Sequence, residues 1–73
     1  MTPEQALCNA IIIQAVKDYR IALKALKRNP NSMAALDTKR EVERFFRSQW
    51  YMVLTDVDGE FLIRKLNEEV DAQ

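Results

Sequence analysis

Apolar side chains recur every three or four residues along the first third of the chain, which is the period of an amphipathic helix. They are Cys8, Ile12, Val16, Tyr19, Leu23 and Leu26. Thr2 and Gln5 stand three positions apart at the start and form a capping-box pattern. Pro30 disfavours helical geometry in the residue before it. The pattern therefore predicts a first helix over residues 3–28.

Two further helices are predicted after the tight connection "NPNS". A second apolar stripe consists of Ala35, Val42, Phe46, Trp50 and Val53. It predicts a helix over residues 33–54. Thr55 followed by acidic residues is typical of a helix start and predicts a last helix over residues 56–70. Gly59 would then lie in its first turn, and a close approach by Trp50 would explain a residue without a side chain there.

These elements predict an all-α fold in which residues 1–73 form a single domain. Because the connection between the first two helices is short, they should form a long antiparallel hairpin, and the shorter C-terminal helix completes a three-helix unit. A chain of 73 residues has little interior, yet 48% of its residues are apolar. We therefore expect a homo-oligomer, in which a second copy covers part of the apolar surface.

Composition excludes several kinds of catalytic and metal site. The chain has no histidine and one cysteine, Cys8, which excludes histidine-dependent triads, an internal disulfide and a cysteine-based zinc site. The segment "DVDG", residues 56–59, shares part of a calcium-loop pattern but lacks the alternating oxygen ligands that should follow. We expect no enzyme activity, no metal and no cofactor. The sequence also lacks a signal-peptide pattern and a membrane-spanning apolar run, which predicts a cytoplasmic protein.

The segment "AIIIQAV" predicts a surface for a second chain. Successive helical residues turn by about 100°, so the three isoleucines at positions 11–13 spread over roughly 200° of the first helix. The other two helices could cover this arc within a monomer, but a second copy would cover it more easily. The residues predicted for the oligomer interface are Leu7, Ile11, Ile13 and Trp50.

Basic residues form two rows at helical spacing. The row on the first helix is Lys17, Arg20, Lys24 and Lys27/Arg28, and the row on the second is Arg40, Arg44 and Arg47. Like charges four residues apart mildly disfavour a helix, and an anionic ligand or partner close to them would offset that effect. The alternative is a solvated face that acidic neighbours such as Asp18, Asp37 and Glu43 partly neutralise.

Four of the six aromatic residues lie in "ERFFRSQWYM", residues 43–52. The side chains expected to face the core or a partner chain are Phe45, Phe46, Trp50, Met52 and Val53. Tyr51 should instead lie on the arginine row, beside Arg44 and Arg47. Two guanidinium groups and an exposed ring could hold a nucleotide by ion pairing and stacking. Arginine and tyrosine are equally the preferred anchors of protein interfaces.

Two stretches resemble known sequences. "DYRIALKALKRNPNSMAAL", residues 18–36, resembles the junction between two tetratricopeptide repeats, but a stable solenoid needs three or more repeats, so we interpret it as a simple helical hairpin. "ERFFRSQWYMVLTDVDGEFLIRKL", residues 43–66, resembles short uncharacterised proteins encoded by phages and prophages of Gram-positive gut bacteria. That resemblance implies a small oligomeric accessory protein, of the kind that binds host defence enzymes or sequesters nucleotide signals.

Together, the residues and the resemblance predict a non-enzymatic binding protein, such as a phage accessory or anti-defence factor that self-associates. It would sequester an anionic, nucleotide-like ligand or block a host protein. The alternative is a small nucleic-acid-binding or regulatory module that uses the basic hairpin. Residues 17–47 hold nine basic and four acidic groups, whereas residues 48–73 hold two basic and six acidic ones. This division disfavours tight binding of duplex DNA.

Overall fold

A computed structural model describes residues 2–73 of the chain. It contains four helices, α1 (Pro3–Arg28), α2 (Met33–Phe46), α3 (Gln49–Leu54) and α4 (Gly59–Asp71), and no strand within the described residues. The predicted all-α fold is confirmed, and α1 has the predicted bounds. Thr2 caps α1 through its side chain and completes a capping box with Gln5, as the sequence indicates.

The prediction of one helix over residues 33–54 is wrong, because the helix is interrupted at Ser48. The Ser48 hydroxyl accepts a hydrogen bond from the Tyr51 amide at 3.1 Å and donates one to the Phe45 carbonyl at 2.6 Å. These bonds let Ser48 leave the helical conformation and cap a new helix, α3. The interruption changes the helical register, so that residues after it face directions that a continuous helix would not give them.

The prediction that the last helix begins at residue 56 is also wrong. Asp58, and not Thr55, caps α4, and its carboxylate accepts a hydrogen bond from the Glu60 amide at 3.2 Å. Gly59 is buried at the first helical position, where a Cβ atom would lie 2.9 Å from the Phe46 carbonyl carbon and closer still to its oxygen. The neighbour that requires glycine is therefore the backbone of α2 rather than the ring of Trp50.

Three helices form a bundle around the C-terminal half of α1. Tyr19 hydrogen-bonds to Glu43 of α2 and Asn67 of α4, and Lys27 donates to the Val70 carbonyl near the end of α4. The short connection makes α2 antiparallel to α1, and the order of the contacts at Tyr19 and Lys27 makes α4 parallel to it. The buried cluster between the helices consists of Tyr19, Leu23, Phe46, Tyr51, Ile63, Leu66 and Val70.

The molecule is elongated, with extents of 40 × 22 × 18 Å and a radius of gyration of 12.9 Å. A compact chain of this length has a radius of gyration of about 11 Å. The 26 residues of α1 span about 39 Å, whereas the 14 residues of α2 span about 21 Å. Since only four residues separate α1 from α2, α2 lies against the C-terminal half of α1 and does not reach the other half. No helix within residues 2–73 is long and apolar enough to cross a membrane.

Candidate functional site: an arginine surface at the α2–α3 junction

Three of the predicted site residues meet at the end of α2. Arg40 and Arg44 lie one helical turn apart on α2, and Arg47 is the first residue after that helix. Together with Glu43 and Ser48, they line one open depression in the protein surface. We call Arg40, Arg44 and Arg47 the arginine surface. The Ser48 interruption positions Arg47 here, because it ends α2 directly after Phe46.

The three guanidinium groups differ in their partners. The Nε of Arg47 donates to the Glu60 carboxylate at 2.5 Å, and this hydrogen bond joins the end of α2 to the first turn of α4. The same bond lowers the pKa of Glu60 and raises the pKa of Arg47. Arg40 and Arg44 are exposed, and their guanidinium groups make no hydrogen bond or ion pair with any residue from 2 to 73. Two of the three groups are therefore free to bind an anion.

Glu43 is the acidic residue of the depression, and its carboxylate is already engaged. Tyr19 donates a hydrogen bond to it at 2.6 Å, and Lys39 donates another at 2.8 Å. Burial acts to raise the pKa of Glu43, but the hydrogen bonds from Lys39 and Tyr19 outweigh burial, and the pKa is lowered. The carboxylate is therefore ionised at neutral pH. Its donors are the buried Tyr19 and Lys39 one turn earlier on α2, and neither Arg40 nor Arg44 pairs with it.

Tyr51 is buried, so the prediction of an exposed ring on the arginine row is wrong. Its ring is buried and packs edge-on against Phe45 and Phe46, with centroid distances of 5.6 Å to each. Burial raises the pKa of its hydroxyl, which has no hydrogen-bond partner within the described chain. The physical reason is the register change at Ser48, which rotates Tyr51 into the core. The site consequently has no tyrosine ring on which a base could stack.

No protein-family model, curated protein or solved structure matches the chain. The properties of the arginine surface therefore come from its own side chains. Guanidinium groups form planar, bidentate, charge-assisted hydrogen bonds with phosphate and carboxylate oxygens. Across residues 2–73, no group of three or more histidine, cysteine or acidic side chains could hold a metal ion.

The basic row of α1 lies apart from this depression. Arg20 forms a bidentate hydrogen bond with Glu69 of α4, at 2.7 and 3.1 Å, which lowers the pKa of that glutamate. Lys17 and Lys24 are exposed, and neither lines the depression. The two predicted rows are therefore separate surfaces, and the α1 row is partly neutralised by α4.

The residues predicted for an oligomer interface are mostly exposed. Leu7, Ile13 and Trp50 are 64%, 52% and 57% exposed, and Ile11 is half-buried. Trp50 packs its ring edge against Phe45 at a centroid distance of 5.4 Å but otherwise faces solvent. Val53 and Met52, which the sequence predicts to face the core or a partner chain, are 82% and 64% exposed. The register change at Ser48 moves Val53 away from the side of Phe46, where a continuous helix would place it.

The sequence interpretation missed the contribution of Ser48, although a signal for it was present. Serine is a favoured N-cap residue, and "SQWYMVL" places it directly before an apolar run. The apolar stripe continues past Ser48 and therefore favours one uninterrupted helix over residues 33–54. The Tyr19–Glu43–Asn67 hydrogen bonds have no comparable signature, because they join residues 24 and 48 positions apart.

Proposed function

We propose that the protein is a non-enzymatic binding protein whose arginine surface holds an anionic ligand. The observation that carries this proposal is the pair of exposed, unpaired guanidinium groups of Arg40 and Arg44 beside Arg47. Like charges four residues apart destabilise a helix by about 0.2–0.5 kcal/mol, and a bound anion offsets that repulsion. Glu60 holds Arg47 in place and so orients the third member of the surface.

A ligand with two or more phosphate groups suits this geometry best. Arg40 and Arg44 are separated by about one helical turn, or roughly 6 Å along the axis, which matches two neighbouring anionic groups better than one. Because Tyr51 is buried, binding would depend on charge-assisted hydrogen bonds and would weaken as salt is added. Nucleotide signals such as cyclic dinucleotides and ADP-ribose derivatives have this chemistry.

An acidic surface of another protein could meet the same arginines, and the open shape of the depression also suits such a partner. In either form the protein would act as an accessory factor that sequesters a signal or blocks a host protein, in keeping with the resemblance of residues 43–66 to phage proteins. Nucleic acid is a weaker candidate, because Arg20 is paired with Glu69 and Lys27 contacts the end of α4.

Calorimetric titration with ADP-ribose and with a cyclic dinucleotide tests the ligand form. Arg44→Ala should weaken binding by roughly tenfold or more, the usual effect of losing a charge-assisted hydrogen bond. Arg64→Ala is the matched control. It removes the same charge from an exposed arginine of α4 that lies over the Phe61 ring, and it should leave affinity unchanged.

Absence of heat from both probes would reject the small-ligand form. Equal losses in Arg44→Ala and Arg64→Ala would show general charge attraction instead of a site. If the partner is a protein, immobilised wild type should retain it from a bacterial lysate. Arg64→Ala should retain the same protein, and Arg44→Ala should not. If both variants retain it equally, the arginine surface is not the contact.

A further inference from the structure

The N-terminal half of α1, residues 3–14, extends past the part of that helix that α2 can cover; we call it the α1 extension. All three buried residues of α1, Tyr19, Ala22 and Leu23, lie beyond it. Within the extension, Leu7 and Ile13 expose more than half of their surface. Since α2 spans only about half the length of α1, it does not reach this segment, in which Ile12 packs against the buried cluster while Cys8 and Ile11 are partly covered.

The outward face of α1 changes from apolar to basic along its length. At about 100° per residue, Ala6, Leu7, Ala10 and Ile13 lie on the side of α1 opposite the buried Tyr19. All four are exposed. Farther along the same side come Lys17, Ile21 and Lys24. The apolar part therefore ends at Lys17 and is confined to the extension.

The exposed surface is larger than that of a compact monomer of the same mass. The accessible surface is 5280 Å² for a chain of 8.5 kDa. A compact monomer of that mass exposes about 4,700 Å², so roughly 600 Å² is in excess. A stable interface buries about 800 Å² on each partner. The excess is thus comparable in size to one side of a small dimer interface.

We propose that a second copy of this chain docks on the α1 extension, with Leu7 and Ile13 buried between the two copies. A two-fold interface places the same surface of each protomer against its partner, so repeated charges would repel one another. Glu4 is the only charged residue between positions 3 and 16. Apart from Glu4, the extension therefore carries no charge that would repel its own copy, whereas the basic outer face that begins at Lys17 would repel itself.

Light scattering after size-exclusion chromatography tests this proposal. Wild type should elute with twice the 8.5 kDa mass of the monomer. Ile13→Glu and, independently, Leu7→Glu should shift the mass to that of one chain. Both side chains are largely exposed, and circular dichroism of each variant verifies that the bundle remains folded. The matched control is Ile21→Glu, which changes an isoleucine of the same helix that is 66% exposed but lies beyond Lys17. It should remain dimeric.

Three results would overturn the proposal. A monomeric wild type at concentrations up to about 0.5 mM would show that no second copy docks with useful affinity. Loss of the dimer in Ile21→Glu would place the interface elsewhere. A dimer that is lost in Val53→Glu on α3 but kept in Ile13→Glu would do so too. Dimers in all variants would do the same. The arginine surface lies outside the extension, so Arg44→Ala should leave the mass unchanged, and failure of either proposal can be distinguished from failure of the other.

Discussion

The Tyr19 hydroxyl donates a 2.6 Å hydrogen bond to the Glu43 carboxylate across the interface between α1 and α2. Asn67 of α4 donates to the same hydroxyl at 3.0 Å, so one buried phenol joins all three long helices. Burial and the bond to Glu43 raise the pKa of Tyr19 above its ordinary value. Because Glu43 also lines the depression of the arginine surface, this hydrogen bond couples the core to the candidate site.

Tyr19→Phe should destabilise the fold by about 2 kcal/mol, the usual effect of losing a buried hydrogen bond to a charged group. The effect should not be larger, because Glu43 keeps its bond from Lys39 and Asn67 keeps its bond to the Ile63 carbonyl. The free energy of unfolding in urea measures the change.

Tyr51→Phe is the matched comparison, since it removes a hydroxyl from an equally buried ring. That hydroxyl has no partner within residues 2–73, and removing an unsatisfied buried group is neutral or stabilising. We expect a change between zero and about 1 kcal/mol in favour of the fold. A loss equal to that of Tyr19→Phe would show that Tyr51 has a hydrogen-bond partner in solution.

Acid should unfold the protein through its paired carboxylates. The pKa values of Glu43, Glu60 and Glu69 are all lowered in the folded state. A carboxylate whose pKa is lower in the folded state stabilises the fold at pH values above its unfolded-state pKa of about 4.3. This stabilisation disappears as the pH falls through the folded-state pKa. The free energy of unfolding should therefore be level from neutral pH to about pH 5 and decline below it.

Glu43→Gln should make that decline shallower, since it removes one of the three groups. The control is Glu41→Gln on the same helix, whose carboxylate is exposed and has no partner in the described chain. It should leave the slope as in wild type. A shallower slope in Glu41→Gln alone would contradict this assignment.

The helices could be predicted from sequence where local signals agree. Thr2, Pro3 and Gln5 mark the start of α1, and the apolar spacing continues until Pro30 ends it. At Ser48 two local signals conflict, because the apolar period favours a continuous helix while the serine favours a cap. In the structure Ser48 caps a new helix, and the resulting change of register buries Tyr51 and exposes Val53.

Part of the arginine surface could also be predicted from local helical spacing. Arg40 and Arg44 lie within the unbroken part of α2, where helical spacing determines their common face. Arg47 joins them, but its pairing with Glu60 depends on where α4 begins, which in turn depends on a tertiary contact at Gly59. Contacts between distant segments leave no periodic pattern in the sequence.

Ser48→Ala should destabilise the fold by about 1 kcal/mol, because it removes the side-chain cap of α3 and the bond to the Phe45 carbonyl. Ser48→Asn, which retains an N-cap acceptor, should restore most of that loss. Far-ultraviolet circular dichroism and urea unfolding distinguish the outcomes. More helix and higher stability in Ser48→Ala would mean that α2 and α3 merge, contrary to the structural role given to this serine.

Gly59→Ala should destabilise the fold by about 2 kcal/mol or more, within the range of overpacked buried sites. The backbone of Gly59 does not have a positive φ, so alanine would ordinarily stabilise a helix at this position. Here its methyl group would collide with the Phe46 carbonyl, and α4 would have to shift away from α2. Glu60→Ala at the next position removes the exposed ion pair with Arg47. It should lower the free energy of unfolding in urea by less than Gly59→Ala does.

The most direct test of the proposed function observes the guanidinium groups themselves. Nitrogen-15 correlation spectra resolve the Nε–H signals of individual arginines, which can be followed as ADP-ribose or a cyclic dinucleotide is added. We predict saturable shifts of the Arg40 and Arg44 signals, a smaller shift of Arg47 because Glu60 already holds it, and no shift of Arg64. Unchanged Arg40 and Arg44 signals at saturating concentrations of both probes, or equal shifts at all four arginines, would contradict a nucleotide site on the arginine surface.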